Sequence, residues 1–581
     1  MPPLDIIPRP TCVFGEVSIR YAGTTKRLYL ESPIVDKRTS SCITIEDVYD
    51  QLQGAPPIYQ VDNSTYYITE DLYILDGITL VIKDKDIRLK SDSESFLNLR
   101  GHGGSILIED STITSWDPAT EGPDENVEDG RSYISCVSEM LVSDLTCIGS
   151  AKNEMGECRL DVVRSEVSYL GYSASESWGL SYKVRGFCAD KSNPEIVDMV
   201  GVYGDIVESE VHHMWHAHYS FIHKSGNISK NTLHDNIGYG VDLHDYSTGS
   251  LVDGNTVYNN GFHGIIGSKW CTDVHITNNR VYNSNVGIFS HRSGDRVLVE
   301  NNEVYDNRDS GIVFLESSDS IIRNNHVYNN EVGVRMSVGS RNLTVENNIF
   351  ENNGKYELWA YEGTDDVVDL DTKTPKNLLF HDNMFKGIGM KFDESENIQF
   401  VGNMFELSDG IEIEDTQQML FSGNTPDNII LDVSGDSCFN PLSDIGDILC
   451  GDSAEVYTLP HAWFEEEEGT PILHTMAPTP SGTLAPTPSA TLAPTPSVTA
   501  APTPVESTRG ISTDAPVIEE DVNDPTDDLD SGIVDGGKFS RNEKWLIVLG
   551  VLTGICLLLI VTCLITKRLV AGGLHTPNQF N

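Results

Sequence analysis

The chain has 581 residues and a formal net charge of −49 at pH 7. That length is too great for one compact domain unless the protein is an elongated repeat structure. The acidity argues against nucleic acid as a partner, because phosphates would be repelled.

The start, MPPLDIIPRPTC, shows no charged-then-apolar leader. From about residue 60, pieces such as YYITEDLYILDGITLVIKD and GSILIEDSTITSW read as strands. A less regular stretch, HHMWHAHYSFIHK, follows at 212–224. Then the chain repeats: NTLHDN at 231, NTVYNN at 255, NRVYNS at 279, NEVYDN at 302, NHVYNN at 325 and NIFENN at 348. Weaker copies begin at 383, 403 and 424. Most copies are followed by a glycine and a β-branched residue, as in Gly240-Val241, Gly264-Ile265, Gly287-Ile288, Gly311-Ile312 and Gly333-Val334.

A period near 23 residues with Asn/Gly turns fits a leucine-rich repeat or a parallel β-helix. The LxxLxL framework of the former is absent. Asn tolerates left-handed turns and can stack on its neighbour, and Val and Ile suit strands facing a packed interior. The expectation is therefore all-β: a right-handed parallel β-helix over 60–450, one coil per repeat. Residues 1–59 and the Cys438/Cys450 region would cap its ends.

An acidic segment spans 451–474. From 475 to 544, four APTP copies spaced by eight residues and the run EEDVNDPTDDLD form a linker, expected to be a disordered, O-glycosylated stalk. Residues 545–566, WLIVLGVLTGICLLLIVTCLIT, carry no charge and are long enough for one transmembrane helix across ~30 Å of hydrocarbon. Lys567 and Arg568 follow, so 567–581 would be a short cytoplasmic tail. This predicts a single-pass protein of the cell surface or secretory pathway, with its N-terminal domain extracellular or lumenal. The missing leader then implies an incomplete gene model or an atypical targeting route. Nine of the eleven cysteines lie outside the apolar run, none in a CxxC pair. Disulfides with one cysteine left over fit better than zinc. Asn63, Asn227 and Asn342 sit in glycosylation sequons.

Successive coils of a β-helix lie ~4.8 Å apart, so equivalent residues form columns. Taking each glycine as register, two residues later stand Asp242, Ile266, Phe289, Val313 and Arg335. Four later stand His244, Ser268, His291, Leu315 and Ser337, and five later Asp245, Lys269, Arg292, Glu316 and Val338. Only the first three coils gather His, Asp, Lys and Arg, with a column of His244, Lys269 and Arg292. The irregular coil adds His218, Tyr219 and His223. His263, just before its glycine, is either a turn residue or part of the groove.

Two of these stretches resemble mannuronan C5-epimerases, which convert mannuronate to guluronate in alginate. YGVDLHD (Tyr239–Asp245) resembles the family's YG-[IVF]-D-P-H-[DE] signature, and HGIIGSK (His263–Lys269) its next-coil motif HGII-x-S-[RK]. The likeness runs from roughly 160 to 355, and VSYLGYSASESWGLSYKVRG at 167–186 looks most like the brown-algal branch. The resemblance implies a pectin-lyase-like solenoid with alginate or polymannuronate lying along a groove. It implies His244 as the C5 base and Lys269 as the cation that neutralises the substrate carboxylate. Asp242 would tune the base, and Tyr239 would take part in proton transfer. Asp245, His263, Arg292, His291, His218, Tyr219 and His223 are the expected substrate-binding residues. Leu243 stands where the family has Pro, and Trp270 where algal relatives have a second basic residue.

The chemistry suits these residues. A proton α to a carboxylate is barely acidic, and pairing the carboxylate with a cation offsets the charge that its removal creates. A histidine can be neutral, and so basic, near pH 7. No metal and no other cofactor is required. A uronan lyase shares the deprotonation step, and a surface-anchored, non-catalytic polysaccharide-binding protein also fits the stalk and anchor.

Overall fold

The computed structural model describes residues 4, 7–15, 17–32, 39–139, 156–174, 176–185, 200–365, 368, 370, 373–425, 430–435, 437–440, 449–451 and 455–458. Each hexapeptide forms a three-residue strand with one inward side chain. In NTVYNN the strand is Thr256–Tyr258; Val257 is fully buried and its neighbours are partly exposed, as period-two alternation requires. Between strands the chain bends at a left-handed residue. Asn278, Asn301, Asn324 and Asn347 all have φ of 56°, which asparagine tolerates better than most residues.

The strands stack in three rows. Among the described residues one row is a 17-stranded sheet containing Asn227–Ser229, Leu251–Asp253, His275–Thr277 and Leu298–Glu300 in parallel. A second contains Thr232–His234, Thr256–Tyr258, Arg280–Tyr282 and Glu303–Tyr305. The third contains His216–Phe221, Val241–His244, Ile265–Ser268, Ile288–His291, Ser310–Leu315 and Val332–Ser337. The last two rows merge where Met384–Asp393 pairs with both Ile349–Glu351 and Tyr356–Tyr361. One continuous apolar core fills the interior.

Three columns keep the coils in register. Asn231, Asn255, Asn279, Asn302, Asn325, Asn348, Asn383, Asn403 and Asn424 form a buried ladder. Asn302 accepts from the backbone N–H and Nδ2 of Asn279 (2.9 and 3.0 Å) and donates Nδ2 to Ile276 O and Asn325 Oδ1 (2.9 and 3.0 Å). A buried amide satisfied on every side stabilises one geometry strongly. The register glycines stack as well. A Cβ on Gly240, Gly264 or Gly287 would come within 2.6–2.7 Å of the next glycine's carbonyl oxygen, so only hydrogen fits. A second ladder through Asn307, Asn330 and Asn353 ends on the buried Glu357 carboxyl, which burial pushes up to about 7 against the pull of Asn353.

The parallel ladders begin well before residue 60. Thr11–Phe14 pairs with Thr39–Thr44, which pairs with Ile78–Lys83, and Arg27–Glu31 pairs with Asp71–Leu75. The region expected as a cap thus supplies coil strands. It also holds the helix Ile45–Gln51, started by a Thr44/Asp47 capping box and burying Ile45 and Val48. At the other end the pairing turns antiparallel, Ser437–Asn440 with Leu449–Gly451 and Ile430–Ser434 with Glu455–Thr458, with Cys438 and Cys450 at the same backbone register.

Cys12 is bonded to Cys42 and Cys136 to Cys158, while Cys271 is free and buried. Asn63 and Asn342 are exposed and Asn227 is partly buried. Apart from Gly451 and Glu455–Thr458, the expected acidic segment, linker, transmembrane run and tail lie outside the described residues. Among the described residues no helix is long and apolar enough to cross a membrane.

Candidate functional site

Strand alternation decides what the Gly240 coil presents. In Val241–His244, Val241 and Leu243 are wholly buried in the core, so Asp242 and His244 face outward. Leu243, the departure from the family signature, is a core residue beside Ser220 and Gly267. The columns read from the glycine register hold along the strands, but His244 shares its column with Ser268 and His291 and not with Lys269 and Arg292, which stand one residue further along. Asp242 aligns with Ile266, and onward with Phe289, Val313 and Arg335. Ser268 aligns with His291, Leu315 and Ser337.

His244 is the centre of the cluster, its side chain 18% exposed. Its Nδ1 is shut off from solvent, 3.0 Å from Asp245 Oδ1. Burial presses its pKa down, but Asp242, with the hydrogen bond and charge of Asp245, outweighs both burial and the Lys269 cation, and the net shift is upward. Lys269 occupies the next coil at a left-handed bend (φ 58°) and is almost buried. Trp270 follows it, 42% exposed and stacked on Tyr246 at 5.0 Å.

Aromatic rings lie on both sides of the Gly240 coil. Tyr219 lies beside Asp242 in the ladder, its ring 5.5 Å from that of His244 and 4.0 Å from Trp178. Tyr239 stands between His216 (4.7 Å) and His263 (5.4 Å). His263 in turn meets Phe289 edge-on at 5.2 Å, so it belongs to this cluster rather than to an isolated turn. His216 is a member that sequence reasoning missed. Its Nδ1 accepts the Tyr239 backbone N–H at 2.9 Å, which puts its proton on Nε2. Burial, aided by the charge of His244, drives its pKa down to about 3, so the ring stays neutral. Gly238 makes room for it, since a Cβ there would lie 2.1 Å from Nδ1.

Three expected binding residues are placed differently. His218 and His223 face the interior, at 0% and 1% exposure. His218 pairs with the inward Val241, and His223 stacks on Tyr182 at 4.7 Å with Nε2 3.1 Å from Gly204 O. Burial lowers both pKa values, that of His223 to about 4. They are neutral core residues and not part of a groove. Arg292 does face outward, but Asp365, from the segment after Tyr356–Tyr361, holds it at 2.9 Å. Val368 of that segment is buried, and Leu370 packs beside it, against Ile266, Phe289, Val313, Leu315 and Val338. His291, nearly buried, lies 4.9 Å from Phe289. The outward face is therefore polar at the Gly240 coil and packed under Val368 and Leu370 C-terminal to it.

The chain matches the family described as "Right handed beta helix region" over residues 220–371. It is 28% identical over 247 residues to a mannuronan C5-epimerase of Pseudomonas putida, covering 41% of this chain and 42% of that protein. It is also 28% identical over 282 residues to mannuronan C5-epimerase AlgG of Azotobacter vinelandii, covering 47% of this chain and 49% of that one. The chain thus spans less than half the length of these curated relatives. Among solved structures, the periplasmic alginate epimerase AlgG superposes with a TM-score of 0.52 at 20% identity, over 67% of this chain and 84% of that one, a likeness of fold.

Proposed function

We propose that the protein epimerises β-D-mannuronate to α-L-guluronate at C5 within alginate or a closely related polyuronate. The observation that carries this reading is the outward pair Asp242 and His244 with the Lys269 cation in the next coil, in a chain whose curated relatives are named mannuronan C5-epimerases. Lys269 pairs with the carboxylate of the reacting sugar, so that charge built up on deprotonation is neutralised in a site partly cleared of water. His244, with Nδ1 turned to Asp245, takes the C5 proton on Nε2. Asp242 and Asp245 stabilise the imidazolium that forms. Tyr239 returns a proton to the opposite face, and neutral His216 beside it keeps a second charge out of that position.

The run at 545–566 would anchor the domain outside the cytoplasm, where its disulfides are stable. The resemblance to the brown-algal branch belongs to the same reading.

The test is incubation of the purified domain with polymannuronate, followed by proton NMR and ultraviolet absorbance. Guluronate signals without new absorbance are expected. Unsaturated chain ends without guluronate would replace this reading with a lyase. Binding with an unchanged polymer would leave a non-catalytic polysaccharide-binding protein.

A further inference from the structure

The outward column that holds His244 carries a second pattern. The ladder runs His102, Val137, Lys183, Phe221, His244. It continues in the same register to Ser268 and His291. Basic side chains occupy every second coil, and small or apolar ones lie between. With ~4.8 Å between coils, they recur about every 9.6 Å.

Lys183 is the lysine of this column. It is 9% exposed, with Nζ 5.8 Å from the Trp178 ring centroid and 5.9 Å from that of Phe221. Trp178 packs on Tyr219, and Tyr219 on His244. One aromatic floor thus joins the lysine to the base. The opposite direction is obstructed: Val368 and Leu370 cover Phe289 and Val313, and Arg292 is held by Asp365.

A polyuronate linked through equatorial bonds at C1 and C4 is an extended ribbon in which successive sugars are turned over. Its carboxylates recur along one edge at every second sugar. Two coils of this solenoid match two sugars of such a ribbon. We propose that Lys183 binds the carboxylate of the sugar two residues from the one at His244, so that the polymer occupies the groove N-terminal to the Gly240 coil. This rests on the polyuronate reading above. An ammonium held against ring faces and partly cleared of water pairs more strongly with a carboxylate than one in solvent.

The experiment compares binding of di- and octamannuronate by calorimetry, and turnover of the octamer, in the full protein and in Lys183→Gln and Lys183→Arg. The octamer should bind wild type about tenfold tighter than the dimer, and Lys183→Gln should close that gap. KM for the octamer should rise about tenfold with kcat nearly unchanged. Lys183→Arg should keep most of the preference. If Lys183→Gln does not fold, as judged by its melting curve, Lys183→Met retains the aliphatic stem and takes its place. Equal octamer affinity in the neutral variant and wild type overturns the inference. Octamer binding that depends on Lys183, without guluronate formation, supports the inference and removes the epimerase reading. No binding to wild type removes both.

Discussion

The Gly240 and Gly287 coils share one backbone and differ in what they turn outward. In the first, Asp242, His244 and Asp245 surround a titratable centre, with Lys269 one coil on. In the second, the same positions hold Phe289, packed with Val368 and Leu370, His291, nearly buried beside Phe289, and Arg292, tied to Asp365. Both keep the stacked glycine and the asparagine ladder. The scaffold is fixed by groups that never face the groove, so outward positions can change from chemistry to packing without disturbing the fold. A solenoid localises a site by substitution within one coil rather than by a special loop.

Removing the centre is the sharpest way to break this comparison. His244→Ala should lower guluronate formation by ~10³-fold, the usual worth of a positioned general base, while the melting temperature stays close to wild type. Next, Lys269→Ala should cost about 10²-fold in turnover and weaken binding of the carboxylate polymer. Arg292→Ala should lose far less turnover, and its cost should appear as a lower melting temperature, because it removes the ion pair that ties the segment of Asp365 to this coil. Equal losses in the two variants would show that the third coil takes part in the chemistry. Asn302→Ala should destabilise the solenoid by about 2 kcal/mol in denaturant unfolding, since four buried hydrogen bonds are lost.

The smallest effect is a shift in pH dependence. His244 must be neutral to act, and its pKa is raised, so activity falls as pH drops through that raised value. Asp242 is one of the charges that raise it. Asp242→Asn should therefore move the acid limb of kcat/KM to lower pH, on top of any loss in rate. An unmoved limb would mean that the titrating group is not His244.

Much of this was legible in the sequence because its determinants are local. The glycine spacing placed Asp242 and His244 in the columns that the ladders show, since only hydrogen fits between stacked carbonyls. The asparagine copies marked the ladder. The irregular coil at 212–224 was not legible in this way. Its pairing to the previous coil shifts between Gly179 and Ser181, so closeness in sequence pointed to His218 and His223, which face inward, and passed over His216. Nor did the sequence tie Arg292 to Asp365, 73 residues away, or mark the segment that covers Phe289. Those contacts depend on how a non-repeating excursion folds back on the coils.

The central claim is that His244, facing outward from the Gly240 coil, removes the C5 proton. Proton NMR of polymannuronate treated in deuterium oxide tests it most directly. The account predicts guluronate carrying deuterium at C5 with wild type, and neither guluronate nor C5 deuterium with a folded His244→Ala. Guluronate formed by His244→Ala at the wild-type rate would contradict it.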